Sequence, residues 1–177
     1  MTEILNIAQL GNPILRNIAQ PIAQIDGGQI QTLIDNLIAT LTPANGVGMA
    51  APQVAESQRL IIVASRPTLR YPSAPVMEPT AMINPHMCDR SKEVEKGWEG
   101  CLSIPGIRGL VPRYQTIEVE YTDRHGKRQK QELTGFVARI FQHELDHLDG
   151  ILFIDRVETT RELMTEAEYQ KQIIQQL

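Results

Sequence analysis

The chain has 177 residues, 42% of them hydrophobic and 21% charged, a composition typical of a soluble globular protein with one sizeable core. Its formal net charge is −4 and it has no basic block, which argues against binding to nucleic acid or an anionic membrane surface. There is no apolar run long enough for a membrane helix, and the first residues lack the basic start and long apolar core expected of a signal peptide. The two cysteines, Cys88 and Cys101, give no disulfide framework, so we expect a cytoplasmic protein with an available thiolate.

The first half of the chain predicts one helix and several short strands. Apolar residues from Ile30 to Leu41 follow helical spacing and Asp26 precedes them as a suitable N-cap, so we expect an amphipathic helix over 27–41. A glycine-rich segment follows at 46–53. Three further segments have local signals: an apolar strand at 60–64, a proline-rich irregular loop at 66–80 and a short strand at 82–84.

The second half predicts a hairpin, a long helix and two short closing elements. Residues 117–121 alternate apolar and acidic side chains, and 129–133 return after a turn, as in a β-hairpin. The remaining expected elements are a helix over 135–148 that stops at Gly150, a strand at 152–154 and a C-terminal helix opened by a capping box at 159–162. This order predicts one α+β domain over 1–177, with mainly antiparallel short sheets around a central buried helix.

The central helix contains the pattern H-E-x-x-H. Residues i and i+4 lie on one helical face, so His143 and His147 can offer two ligands to one divalent metal. Glu144 stands where a general base is placed in metal-assisted hydrolysis. Such a pattern can arise by chance on an exposed polar helix. Here the flanks are apolar, and burying these groups together with Asp146 is costly unless they are paired or bind metal, which favours a metal site.

Catalytic sites of the zinc type use three protein ligands and keep one position for water. Cys101 is our preferred third ligand, because the glycines and proline around it indicate a tight backbone path. Glu166 is the alternative and would indicate a zinc endopeptidase. It lies in a polar C-terminal segment, where a solvated acid is expected. An inert buried cysteine remains the alternative for Cys101 taken alone.

Three segments together resemble the signature motifs of the peptide deformylase family. They are G-V-G-M-A-A-P-Q at 46–53, E-G-C-L-S at 99–103 and Q-H-E-L-D-H at 142–147. They occur in the family's order and at similar spacings, and residues 10–21 also resemble the family's N-terminal segment. The resemblance covers nearly the whole chain, with the C-terminal helix the least diagnostic part.

The resemblance implies a metal site made by Cys101, His143 and His147, with Glu144 as general acid and base. The family's metal is usually ferrous iron, and zinc, nickel or cobalt can take its place. A thiolate with two imidazoles suits several of these ions, so Fe²⁺ is expected from the resemblance rather than from the ligands.

The resemblance also implies that Gln53 and the backbone N–H of Leu102 donate to the formyl oxygen. This agrees with the chemistry, since amide hydrolysis passes through an oxyanion that preorganised donors stabilise. For Gln53 alone, an amide that closes the turn after Pro52 is the alternative. We expect a peptide substrate to approach the backbone closely at four residues: Gly46, Val47, Gly48 and Gly100. For the three glycines, an ordinary role in turns is the alternative.

The implied activity is removal of the formyl group from N-formylmethionyl nascent peptides, releasing formate. This substrate implies a transient association with the ribosome, although residues 158–177 present no basic face for ribosomal RNA. A third interpretation is a structural metal site or a binding module without activity. The intact Glu144 and a three-ligand site with an open position argue against it. Of the other polar residues, we expect an ion pair at Arg139, solvated side chains at His86 and His125, and a packing role for Trp98.

Overall fold

The computed structural model of the chain describes residues 2–68 and 71–176. Its helices are α1 (Gly28–Leu41), α2 (Gly135–Leu148), α3 (Phe153–Arg156) and α4 (Glu166–Gln172). Its strands are β1 (Gly48–Ala50), β2 (Leu60–Ser65), β3 (Met77–Arg90), β4 (Val94–Cys101), β5 (Ile104–Tyr114), β6 (Thr116–Thr122), β7 (Arg128–Thr134) and β8 (Leu163–Thr165). None of the helices in the described ranges is both long and apolar enough to span a bilayer.

The strands form two antiparallel sheets. The larger has the order β1-β2-β3-β6-β7, and the smaller has the order β4-β5-β8. Every pairing between named strands is antiparallel, including the predicted β6–β7 hairpin with its turn at 123–127. The expected α+β fold with mainly antiparallel sheets is confirmed.

Helix α2 packs against β1 and β2 of the larger sheet and also contacts β5 of the smaller one. Its apolar side chains, such as Val137 and Phe141, join a buried cluster with residues of β2 and β6. The helix ends where expected: Gly150 follows its last turn at φ +71°, a conformation that favours glycine. A side chain at Gly150 would also collide with the backbone of Arg16.

Helix α1 covers a second apolar cluster. Ile34 and Leu37 are fully buried there, against Met49 and Leu60. The predicted helix is therefore confirmed, but its cap is different. The N-cap is Gly27, which has no side chain to accept a hydrogen bond, and Asp26 lies one residue too early.

Strand β3 corrects the predicted loop at 66–80 and the short strand at 82–84. It begins at Met77 and runs for 14 residues, and Leu69 and Arg70 of the predicted loop lie outside the described residues. Pro79 and Pro85 do not break the strand, because each falls where the register with a neighbouring strand shifts. A proline is tolerated at such a point because its missing N–H is not needed by the ladder.

The other corrections concern elements with weak local signals. The sequence did not predict the β4–β5 hairpin, because its glycines and prolines give it a low β propensity. In the structure, pairing between the two strands outweighs this low propensity. Residues 152–154 do not form a strand: α3 begins at Phe153, and Asp155 accepts from the N–H of Leu152. The predicted capping box opens only one 3₁₀ turn, Thr160–Glu162; β8 intervenes, and Thr165 caps α4.

Candidate metal centre and active site

A pocket of about 410 Å³ opens between β1, the β4–β5 turn and α2. Many of the residues singled out by sequence line it: Gly46, Val47, Gly48, Gln53, Gly100, Cys101, Leu102, His143 and Glu144. His147 is not among the lining residues and is almost fully buried, with 1% of its surface exposed. Segments far apart in the chain thus meet at one cavity, of a size suited to a small ligand or a short stretch of peptide.

Cys101, His143 and His147 converge beside this pocket, and the first two of them line it. Each offers one ligand atom, and these atoms lie within 4.8 Å of one another. The Sγ of Cys101 at the end of β4 is 3.2 Å from Nε2 of His147 on α2. One thiolate and two imidazoles make a donor set that suits iron, zinc, nickel or cobalt in the divalent state. The residues present fit such an ion.

The surroundings of Cys101 favour its thiolate. Burial opposes ionisation, but the two neighbouring imidazoles, His147 foremost, hold the pKa of this thiol well below its usual range. A thiolate, not a thiol, is the form of cysteine that binds metal.

Glu144 is a buried carboxyl with unused hydrogen-bonding capacity. It is 4% exposed, and among the described residues its Oε2 atom has no hydrogen-bond partner. Burial raises the pKa of Glu144 to about 7, against the opposing effect of the two histidines. Gly48 makes room for this carboxylate, since a Cβ at that position would collide with it. The group is therefore placed to exchange protons near neutral pH.

Gln53 lies in the 3₁₀ turn Ala51–Val54 that follows β1 and is almost fully buried. Its Oε1 accepts from the N–H of Ala50 at 2.9 Å, so it does close the turn. Its Nε2 donates to Ser103 Oγ at 3.1 Å and lies 3.5 Å from Cys101 Sγ. The amide N–H₂ thus lies close to Cys101, and its role in closing the turn is compatible with a role as a donor.

Leu102 lies beside Cys101 in the two-residue turn between β4 and β5. The glycines of the pocket have packing partners that sequence did not show. A Cβ at Gly100 would collide with the guanidinium of Arg108, and one at Gly46 would collide with Leu41. Neighbouring side chains thus already occupy the space beside these glycines.

A buried ionic network holds His143 in place, and of this network the sequence predicted only an ion pair at Arg139. The Nδ1 of His143 is 2.8 Å from Glu99 Oε2. Glu99 also accepts from Arg113 at 2.9 and 3.0 Å and from Arg139 at 2.9 Å. Burial opposes ionisation of Glu99, but Arg113 and His143 hold its pKa well below the usual range. The expected ion pair at Arg139 is confirmed.

The same network fixes the position of α2. Asp146 binds Arg113 at 2.6 Å and Arg156 at 2.7 Å. One turn earlier, the Gln142 side chain bonds both the N–H and the C=O of Tyr114 on β5. The acid of the H-E-L-D-H sequence is thus paired, as its burial requires. The members of this network come from segments that are far apart in the sequence. The only sequence signal for Glu99 was its place at the start of the E-G-C-L-S segment.

The remaining predicted residues lie apart from the ligand cluster. Glu166 is paired with Arg108, and within the described residues it belongs to no group of potential metal ligands. Trp98 packs against Tyr169, with ring centroids 5.5 Å apart. His86 and His125 are exposed, as predicted, although His86 lies in β3 and not in a loop.

We expect Glu99→Gln to weaken metal binding by about 10–100-fold, the usual effect of losing a group that orients a ligating histidine. The amide keeps the shape but loses the charge that Arg113, Arg139 and His143 share. Competition with a chelator measures the affinity. Glu95→Gln, at an exposed position on the same strand, is the control and should be unchanged. Equal affinity in both variants would show that Glu99 does not position His143.

Comparison with known proteins places the chain in a family. The family model for polypeptide deformylase matches residues 4–162. Peptide deformylase 2 from Nostoc sp. is 67% identical over 169 residues, covering 96% of this chain and 94% of the relative. Peptide deformylase 2 from Shewanella oneidensis is 49% identical over 152 residues, covering 86% of this chain and 83% of the relative.

Solved structures agree. A class I type b peptide deformylase from Acinetobacter baumannii with Met-Ala-Ser bound superposes with a TM-score of 0.86 and 45% identity, covering 89% of this chain and all (100%) of that one. A peptide deformylase from Synechococcus elongatus in complex with actinonin gives a TM-score of 0.80 and 36% identity, covering 92% and 84%. Fold and sequence thus define an amide hydrolase. The chain belongs to the polypeptide deformylase family, as its three motifs predicted.

Proposed function

We propose that the chain is a metal-dependent hydrolase that removes the formyl group from the N-terminal formyl-methionine of nascent polypeptides. The observation that carries this proposal is the convergence of Cys101, His143 and His147 beside the buried carboxyl of Glu144, next to a pocket. The relative from Acinetobacter baumannii with Met-Ala-Ser bound supports the substrate class. Met-Ala-Ser is the peptide that remains when formyl-Met-Ala-Ser loses its formyl group.

In this proposal Cys101, His143 and His147 hold one divalent ion. When bound, the ion supplies Lewis acidity, which activates water near neutral pH and polarises the formyl carbonyl. Glu144 accepts the proton of the attacking water as the new C–O bond forms, and it delivers that proton to the amine as the C–N bond breaks. Formate and a free N-terminus are the products. The raised pKa of Glu144, about 7, suits both transfers.

Gln53 and the backbone N–H of Leu102 are the proposed donors to the oxyanion. Gln53 and Leu102 both line the pocket; the Gln53 amide lies 3.5 Å from Cys101 Sγ, and Leu102 is the next residue after Cys101. Gly46, Val47, Gly48 and Gly100 line the same cavity and are the proposed contacts for the peptide backbone. Preorganised donors of this kind act on charge that develops during the reaction.

We expect Gln53→Ala to lower kcat by about 10²–10³, the usual effect of losing one oxyanion donor. KM should move little, because the formyl oxygen is a weak acceptor before attack, and metal content should not change. Steady-state kinetics on formyl-Met-Ala-Ser measures both constants. Ser103→Ala is the matched variant, since it removes the hydroxyl partner of Gln53 Nε2 and leaves the amide in place. A raised KM with normal kcat would assign Gln53 to substrate positioning only.

Ferrous iron is the metal we propose, from the family resemblance, with zinc, nickel or cobalt able to replace it. We expect preparation in air to weaken activity, since Fe(II) and the Cys101 thiolate are both prone to oxidation. Reconstitution with nickel or cobalt should restore it. The check is a paired aerobic and anaerobic purification with metal analysis of each sample. Equal and full activity in both, with zinc bound, would rule iron out.

The direct test of the function measures formate and free amine released from formyl-Met-Ala-Ser by the full chain. A long unformylated peptide serves as the second substrate, because a zinc endopeptidase would cleave its internal bonds. Formate release without internal cleavage is expected. Internal cleavage without formate would overturn the proposal.

The substrate also leads us to propose that the enzyme acts in the cytoplasm, during a transient encounter with the ribosome. Co-sedimentation with translating ribosomes would test this association.

A further inference from the structure

A second group of metal-ligating side chains lies outside the pocket, on the larger sheet. His86 and Cys88 are on β3, and Glu120 is on the neighbouring strand β6. His86 and Glu120 are register partners, with His86 Nε2 3.5 Å from Glu120 Oε2. The register shifts between Met87 and Asp89, which leaves Cys88 as the extra residue of β3. A shift of this kind re-aims a side chain, here toward Glu120.

We propose that His86, Cys88 and Glu120 form a second binding site for a thiophilic divalent transition-metal ion such as Zn²⁺. One ligand atom from each residue lies within 4.8 Å of the others. Ligand atoms around one zinc ion lie about 2.0–2.3 Å from it, so the three side chains must draw together slightly. They are free to do so: the side chains of His86 and Glu120 are 60% and 42% exposed.

The chemistry of the three ligands selects the class of ion. A thiolate and an imidazole prefer zinc, cobalt, nickel or copper to magnesium and calcium, which favour oxygen ligands alone. The thiolate and the carboxylate together balance a charge of +2. Coordination forms a metal–sulfur bond and releases the proton of the Cys88 thiol to solvent.

One neighbouring cation competes for this site. Lys130 on β7 lies 2.7 Å from Glu118 and 3.6 Å from Glu120. Its closer partner is Glu118, so Glu120 keeps an oxygen for His86 and Cys88. The ammonium still repels an incoming cation. Lys130→Gln should therefore strengthen binding at the second site, and Glu120→Gln should weaken it.

The experiment uses the full chain, reduced and already holding one equivalent of Cd²⁺, which serves as a thiophilic probe. A second equivalent is added while the ultraviolet charge-transfer band from thiolate to cadmium is recorded. A second increment in this band is expected for the wild-type chain. It should be lost in Cys88→Ser and His86→Ala, and deformylase turnover of these variants should be unchanged. His125→Ala, at an exposed histidine outside the cluster, is the matched control and should behave as wild type.

Two results would overturn the proposal. One is a wild-type titration with no second increment, or with the same increment in Cys88→Ser. The other is an increment that Cys88→Ser abolishes but His86→Ala and Glu120→Gln leave intact, because binding would then belong to the thiol alone.

Discussion

Glu144→Gln is expected to keep its metal and lose about 10²–10⁴ of its turnover, the usual contribution of a general acid–base group. The amide has nearly the same shape as the carboxylate, so it fits the space that Gly48 leaves open. It has no basic oxygen, however, and cannot take a proton from water. Turnover of formyl-Met-Ala-Ser and metal content, measured in one sample, test the prediction.

The control for this variant is Glu166→Gln. Glu166 also lines the pocket, but it is paired with Arg108. If turnover depended only on having a carboxylate in the pocket, both variants would lose it. If it depends on proton transfer by Glu144, only Glu144→Gln loses turnover. A Glu144→Gln enzyme with normal turnover would falsify the role proposed for this residue.

Cys101→Ala is expected to lose its metal during purification and its activity with it. The substitution removes the only proposed ligand that carries a negative charge and leaves two neutral imidazoles. Three protein ligands are the usual minimum for a catalytic site of this type. Metal per chain, measured after chelation and reloading with one equivalent, is the decisive quantity.

Two matched variants separate the interpretations of this site. Cys88→Ala removes the other free cysteine, and at one equivalent it should keep the pocket metal. Glu166→Ala removes the ligand that an endopeptidase of the alternative type would need, and it should also keep the metal. Retention in Cys101→Ala together with loss in Glu166→Ala would favour the endopeptidase.

The sequence predicted those parts of the molecule whose information is local. The α1 and α2 helices follow from the spacing of apolar residues, and the family follows from three short motifs. The H-E-x-x-H pattern places two ligand atoms by helical geometry alone, because i and i+4 share a face. The structure places both histidines near Cys101.

Other parts depend on partners that are distant in sequence. The β4–β5 hairpin has glycines and prolines that suggest a loop, and only the cross-strand ladder makes it regular. Nothing in the local sequence distinguishes Glu99 from a solvated acid, because its partners Arg113 and Arg139 are distant in the chain. The same applies to Gly48, because the group that a side chain there would meet is the carboxylate of Glu144, which is distant in sequence.

The two sheets and the proposed ligands have a mechanical consequence. Cys101 ends a strand of the smaller sheet, whereas His143 and His147 belong to the helix that packs on the larger one. A bound ion would therefore act as a cross-link between the halves of the molecule. At one hundred times its dissociation constant, a ligand that binds only the folded state adds about 2.7 kcal/mol to stability. Loss of the proposed ion would therefore lower the stability of the folded chain as well as stop the proposed turnover.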